Sequence, residues 1–186
     1  MDFQNITLVP VGYIEEIFLK SVVEAAGKEF CLPVTIKEGF IDISEFYDPT
    51  RRQYNGTKLL KEIDTHYASD HTKTIGLFSI DLFIPILTFI FGQAYLNGRS
   101  GIASYYRLSN ERYGINGDNK IIAGRFQKEV IHELGHTFGL VHCHIPTCVM
   151  RSSTYVEDID QKDFYFCSQC RTKLSETIPS LSIIKT

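Results

Sequence analysis

The sequence predicts an α/β (α+β) fold: a twisted, mixed five-stranded sheet with backing helices, followed by a small irregular lobe. Three observations carry this expectation. Segments with strand and helix periodicity alternate at the start of the chain, which implies crossover connections and parallel neighbours. Asn97-Gly98 lies between two apolar runs and is a strong tight-turn signal, so at least one strand should be antiparallel. Beyond Leu140 the hydrophobic periodicity weakens and cysteines take over.

The elements follow in order. Ile6 to Val11 (ITLVPV) reads as a short buried strand. Glu15 to Phe30 reads as a helix, with Ile17, Phe18, Val22, Val23 and Ala26 at helical spacing. Leu32 to Gly39 is a second strand. Asp48-Pro49-Thr50 opens a polar stretch that turns helical through Leu59, Leu60 and Ile63. Thr74 to Phe83, Phe89 to Leu96 and Gly101 to Leu108 are three further strands, rich in apolar residues. Asn110 to Asn119 is a polar loop with two glycines, and a long helix starts near Gly124. On that helix Phe126, Val130, Leu134 and Phe138 recur every four residues, while Glu129, His132, Glu133 and His136 gather on another face. One face suits a core and the other a cleft.

Length and composition set bounds. With 186 residues, 44% hydrophobic and 22% charged, the chain fits one domain with a sizeable core. We read a single domain over 1–186, divided into a sheet–helix part (1–139) and a C-terminal part (140–186). A net charge of -3 gives no electrostatic case for nucleic acid. Near the cysteines, Arg151, Lys162, Arg171 and Lys173 are offset by Glu157, Asp158, Asp160 and Asp163, and no aromatic–basic stripe accompanies them. Met1 to Ile6 does not resemble a secretory signal, and the longest apolar run, Leu82 to Phe91, holds Pro85 and Thr88 and is too short to span a bilayer. The expectation is a cytoplasmic, membrane-free protein, with a monomer favoured.

His132 to His142 reads H-E-x-x-H-x-x-G-x-x-H. Histidines four apart share one face of a helix, about 6 Å apart along its axis, so both imidazoles can reach one ion. Glu133 stands beside the first of them, where a carboxylate can take a proton from water held by the metal. Gly139 can end the helix in a left-handed turn and bring His142 back as a third ligand. Three histidines leave a fourth position open on a tetrahedral zinc, as in a catalytic site. The bland alternative is an amphipathic helix whose histidines are merely exposed or hydrogen-bonded.

Of the five cysteines, Cys143, Cys148, Cys167 and Cys170 cluster. A C-x4-C with a C-x2-C supplies four thiolates, the ligand count of a closed structural zinc. The segment between them has few large apolar residues, so a metal clip would supply stability that its own core cannot. The rivals are disulfides or a redox C-x-x-C, which here lacks a strand-to-helix setting. If the backbone is extended at His142-Cys143, the two side chains point to opposite sides and serve different ions. Cys31 stands apart and reads as a buried thiol; His144 is a spare ligand that more simply belongs on the surface.

The longer histidine pattern is the metzincin signature. Together with the cysteines it resembles one metzincin family, the archaemetzincins, whose pattern is H-E-x-x-H-x-x-G-x-x-H-C-x4-C-x-M followed, after a gap, by C-x-x-C. The match runs from Val130 to Cys170; earlier residues match only in element order. The resemblance implies a zincin/metzincin-like fold with an active-site helix. It implies that His132, His136 and His142 hold a catalytic zinc, and that Glu133 is the general base and acid. It implies that Met150 lies under the histidines and that the four cysteines hold a structural zinc, making two Zn2+ per chain. It also implies a sheet edge that pairs with substrate backbone, for which Phe91 to Tyr95 is our candidate, with Gly92, Gln93, Ala94 and Tyr95 as substrate-binding residues. The position two after the methionine, where some metzincins carry a tyrosine ligand, is Ser152, so no tyrosine ligand is assigned. The expected activity is zinc-dependent hydrolysis of a peptide or protein substrate. The alternative is a weak or inactive zinc-binding regulatory protein that keeps the site.

Overall fold

The computed structural model describes residues 5–114, 116–178 and 181. The main sheet is built from β1 (Asn5–Pro10), β2 (Val34–Ile36), β5 (Thr72–Phe78), β7 (Gly92–Ala94) and β8 (Ser100–Ser104). Its order is β2-β1-β5-β8-β7. The first four are mutually parallel, and β7 runs antiparallel to β8 at the edge. Both expectations, parallel neighbours first and an antiparallel pair joined at Asn97-Gly98, hold.

Alternation along the strands separates two apolar layers. Ile6, Leu8, Ile75, Leu77 and Ala103 face one core, which contains α1 (Glu16–Phe30) and α3 (Asn119–Thr137). Val9, Phe78 and Ile102 face the other, which contains Leu59, Leu60 and Ile63 of α2 (Gly56–His66). The first core continues through α3 into Val149, Met150, Val156, Ile159, Phe166 and Leu174. The residues after 140 therefore pack on the sheet–helix body as well as on one another.

Several expected boundaries shift. The Thr74–Phe83 run is two strands, because the chain breaks at Ser79–Asp81 and Leu82–Phe83 forms β6 in a second sheet. That sheet also holds β3 (Tyr47–Asp48) and β4 (Gln53–Asn55), in the order β3-β4-β6. Gly101–Leu108 keeps strand geometry only to Ser104 and then tightens into a 3-10 turn over Tyr106–Leu108. α3 starts at Asn119 rather than near Gly124, since the Asp118 side chain accepts from the Lys120 amide and caps it. The C-terminal part is less irregular than expected: it holds α4 (Val156–Asp160) and α5 (Ser168–Thr177). Cys31 is only half-buried; it closes α1 in the left-handed region (φ 53) with its thiol on the Lys28 carbonyl. Among the described residues no helix is long and apolar enough to cross a membrane.

Candidate metal centre and active-site cleft

α3 carries His132, Glu133 and His136 into a cleft of about 740 Å³ between β7 and the residues after 140. The helix ends in a Schellman turn: Gly139 N–H donates to the His136 carbonyl and Leu140 N–H to the Gly135 carbonyl, each at 2.9 Å. This requires the φ of 89° at Gly139, which glycine adopts without steric strain. The reversal brings His142 back to the helix. One donor nitrogen from each of His132, His136 and His142 lies within 4.8 Å of the others.

The hydrogen bonds fix which nitrogens are free. His132 Nδ1 lies 2.9 Å from the Val149 carbonyl, and His136 Nδ1 lies 2.7 Å from the Leu140 carbonyl. A carbonyl only accepts, so each Nδ1 carries the proton and each Nε2 presents a lone pair. The two Nε2 atoms converge to 3.1 Å. Burial holds all three imidazoles below their ordinary pKa, which favours the neutral rings. Two lone pairs this close repel unless a cation lies between them, and a tetrahedral ion with nitrogens at roughly 2.0–2.1 Å sets them about 3.3 Å apart. The residues present fit a zinc ion.

Glu133 is 4% exposed, and its Oε2 is buried without a hydrogen-bond partner. Burial, with the neighbouring Glu129 carboxylate, pushes its carboxyl well above the usual range, while the Lys162 ammonium pulls the other way. Glu129 and Lys162 are themselves buried. Lys162, grouped in the sequence only with the basic residues near the cysteines, faces these two carboxylates from beyond α4. The signal was Glu129, one turn before Glu133 on the same helix face: a buried carboxylate pair requires a cation nearby.

The second cluster is separate. The Sγ atoms of Cys143, Cys148, Cys167 and Cys170 lie within 4.8 Å of one another, and all are free thiols. Cys143–Cys167 and Cys148–Cys170 are both 3.8 Å apart, far beyond a disulfide's roughly 2.05 Å. A tetrahedron with metal–sulfur bonds of roughly 2.3 Å has edges of about 3.8 Å, so this group also fits zinc. The amides of Ile145 and Cys167 donate to Cys143 Sγ and Cys148 Sγ. Burial and the neighbouring thiols push Cys148 and Cys170 up, which disfavours adjacent thiolates without a cation. His142 and Cys143, adjacent in sequence, belong to different clusters, as the extended-backbone argument expects. His144 is exposed and belongs to neither.

Three consecutive residues join the clusters. Cys148 is in the thiol group, the Val149 carbonyl holds His132, and Met150 packs its sulfur against the bare face of Gly135. The Met150 carbonyl also accepts from the Cys143 amide at 2.9 Å.

The opposite wall is β7. Gln93 pairs with Ile102, Ser104 N–H donates to the Phe91 carbonyl, and Tyr95 N–H donates to the Ser100 carbonyl. Positions 91, 93 and 95 therefore bond inward, and the amides and carbonyls of Gly92 and Ala94 face the free edge. Gly92 touches the carboxylate: a Cβ there would stand 2.7 Å from Glu133 Cγ and Oε1. The Gln93 side chain turns away, accepting from Thr57 of α2. Tyr95 lies past the strand and is not in the cleft wall, its amide tied to Ser100. Nothing local in the sequence signals how this wall is fastened to α3. Asn97 N–H donates to the His136 carbonyl, and buried Lys73 donates to the carbonyls of Gly98 and Thr137 at 2.7 and 2.8 Å. The β7–β8 turn thus caps the C-terminus of α3.

A histidine triad beside a buried glutamate, reversed on a glycine turn under an antiparallel sheet edge, with a methionine packed on the same helix at Gly135, defines a metallopeptidase of the metzincin type. The family model for peptidase family M54 matches residues 12–176. An archaemetzincin from Thermococcus kodakarensis is 37% identical over 175 residues, covering 91% of this chain and 94% of its own length. Among solved structures, a zinc-dependent peptidase from Methanocorpusculum labreanum superposes with a TM-score of 0.83 at 31% identity, covering 91% of this chain and 100% of that one. An archaemetzincin from Methanopyrus kandleri superposes at 0.79 and 30% identity, covering 93% and 95%. The chain belongs to peptidase family M54, the archaemetzincins.

Proposed function

We propose that this chain hydrolyses peptide bonds with a zinc ion held by His132, His136 and His142, and that Cys143, Cys148, Cys167 and Cys170 hold a second, structural zinc. The observation that carries the reading is the pair of Nδ1-anchored imidazoles, whose Nε2 atoms converge at 3.1 Å beside the buried Glu133 carboxylate, whose Oε2 has no hydrogen-bond partner. Bound at the histidines, zinc supplies Lewis acidity, acidifying water and polarising the scissile carbonyl. The protein does the rest. Glu133, its carboxylate pre-desolvated, accepts a proton from the attacking water and returns it to the departing amine. The free edge of β7 aligns the substrate backbone through Gly92 and Ala94, an added antiparallel strand. The Val149 and Leu140 carbonyls keep the two helical imidazoles in the ligating tautomer. Met150 supports the histidines from below.

Cys143, which as the neighbour of His142 could have intruded on the open ligand position, is instead grouped with the other thiols, which favours an active site over a vestigial one. The reading divides the chain into a part up to Gly139 that brings Glu133 and two ligands, and a part from Leu140 that brings the third. The reading takes the chain as a monomer, and the four free thiols suit a reducing compartment such as the cytoplasm. Glu133→Gln is the test. The variant should retain zinc and lose on the order of 10³-fold in turnover of any peptide the wild type cuts. Undiminished turnover would sink the assignment.

A further inference from the structure

We propose that the cleft takes an internal stretch of polypeptide, with apolar side chains on both sides of the bond to be cut, rather than a chain end. This rests on the peptidase reading above and narrows it. The wall facing the histidines is nearly continuous from Leu87 to Leu96, and Glu133 meets it near the middle, at Gly92. The groove therefore runs past the carboxylate in both directions. On one side the free amides and carbonyls of Gly92 and Ala94 lead to Leu96. On the other, backbone pairing stops because the Ile90 amide already donates to the Leu82 carbonyl. There Phe89 and Leu87 continue the wall with side chains. The lower wall offers Val141 and Tyr155.

Leu87, Leu96, Val141 and Tyr155 are each about half exposed or more, so uncovered apolar side chains stand on both sides of Gly92 and on the lower wall, where Ser152, Ser153 and Thr154 add polar groups. Chain-end recognition needs a different chemistry. A free amine is held by a carboxylate, and a free carboxylate by arginine or lysine. Among the described residues lining the cleft, Glu133 is the one carboxylate, and it is almost wholly buried; neither lysine nor arginine lines it. Backbone pairing at the edge with apolar contacts on both flanks selects for the middle of a chain.

The test uses an apolar peptide of about ten residues, the extended length of this wall at roughly 3.3 Å per residue. It is made twice, once with free ends and once N-acetylated and C-amidated. Zinc-loaded wild type is assayed for cut positions by mass spectrometry, and zinc-loaded Glu133→Gln for binding of both peptides by fluorescence anisotropy. The blocked and free peptides should bind within about threefold of each other and be cut at the same internal bond. Leu87→Asp and Leu96→Asp, surface changes on opposite sides of Gly92, should each weaken binding about tenfold without lowering Tm. A blocked peptide that binds more than tenfold more weakly, stepwise release of terminal residues, or an effect of only one of the two variants would overturn the proposal. Absence of Glu133-dependent cutting would instead sink the peptidase reading, and the binding arm would still decide which part of a chain the cleft accepts.

Discussion

The two ligand clusters are built by opposite means. At the histidines, regular structure does the positioning: a helix sets two ligands, a glycine turn sets the third, and a sheet edge faces all three across a cleft. At the cysteines, all but one of the sulfurs come from irregular chain; Cys170 sits on α5, whose N-cap is Cys167. The histidine group is graded in exposure, with His132 buried, His136 intermediate and His142 exposed. The cysteine group is closed, with Cys148 and Cys170 buried and all four sulfurs in mutual reach. An ion in the first group would be reachable by substrate, whereas an ion in the second would be wrapped. The difference teaches that the first is open to a substrate while the second ties irregular chain to the rim of the main core, the two joined through Cys148-Val149-Met150.

That junction makes the largest prediction. Replacing Cys167 and Cys170 together by serine should empty the thiol cluster and loosen the loop that presents the Val149 carbonyl to His132. A structural zinc contributes on the order of 10 kcal/mol of folding free energy in small domains, so Tm should fall sharply. Zinc should drop from two per chain to below one, and peptidase activity should be lost with it. Elemental analysis and calorimetry on the same sample decide this. One tightly held zinc with full activity would mean that the clusters are independent.

Gly92→Ala probes the other side of the comparison, where regular structure places the reactive group. The added methyl would meet Glu133 Cγ, Glu133 Oε1 and the Ile102 carbonyl, each at 2.7 Å, so either β7 or the carboxylate must move. A displacement of about 1 Å at a reacting group costs on the order of 10²-fold in rate. Overpacking should cost about 1–3 kcal/mol in stability, and zinc should stay at two per chain. A loss of the thiol-bound zinc in this variant would show that the edge strand and the cysteine group are coupled after all.

How much of this was legible in the sequence follows the same division. The candidate metal ligands and Glu133 are local in sequence or spaced by motif, so His132, Glu133, His136, His142 and the cysteines could be read directly, and the structure brings the three histidines together and the four cysteines together. The main sheet was legible because Ile6–Val11 and the later apolar runs carry period and turn signals. β3, β4 and β6 were not, since strands of two or three residues are too short to show alternation. The start of α3 was misplaced because Gly124 lies inside the helix and its first turn, Asn119-Lys120, is polar; the Asp118 cap was the available signal. Lys162 and Lys73 were invisible for a different reason. Each acts on groups far away in sequence, and nothing local separates a buried lysine from a surface one.

Lys73 gives the smallest effect and the finest test of how the two halves of the active site are registered. It is 1% exposed, and its Nζ bridges the carbonyl of Gly98 in the β7–β8 turn and that of Thr137 at the end of α3. Lys73→Met keeps the length of the side chain but removes the donor, leaving two carbonyls without their cation. The cost should be about 2 kcal/mol. Because Asn97 still holds the His136 carbonyl, zinc content should not change. The wild-type lysine also carries a pH signature. Burial lowers its pKa from 10.5 to about 8, so between about pH 8 and 10.5 the unfolded chain holds a proton that the folded chain has released. Stability then rises with pH across that window, since the state that binds more protons is disfavoured as they are withdrawn. The difference in unfolding free energy between wild type and Lys73→Met, measured by urea titration, should therefore grow from pH 8 to 10. A difference that stays flat, or shrinks, would mean that Lys73 remains charged in the fold and acts as a permanent cation at the C-terminus of α3.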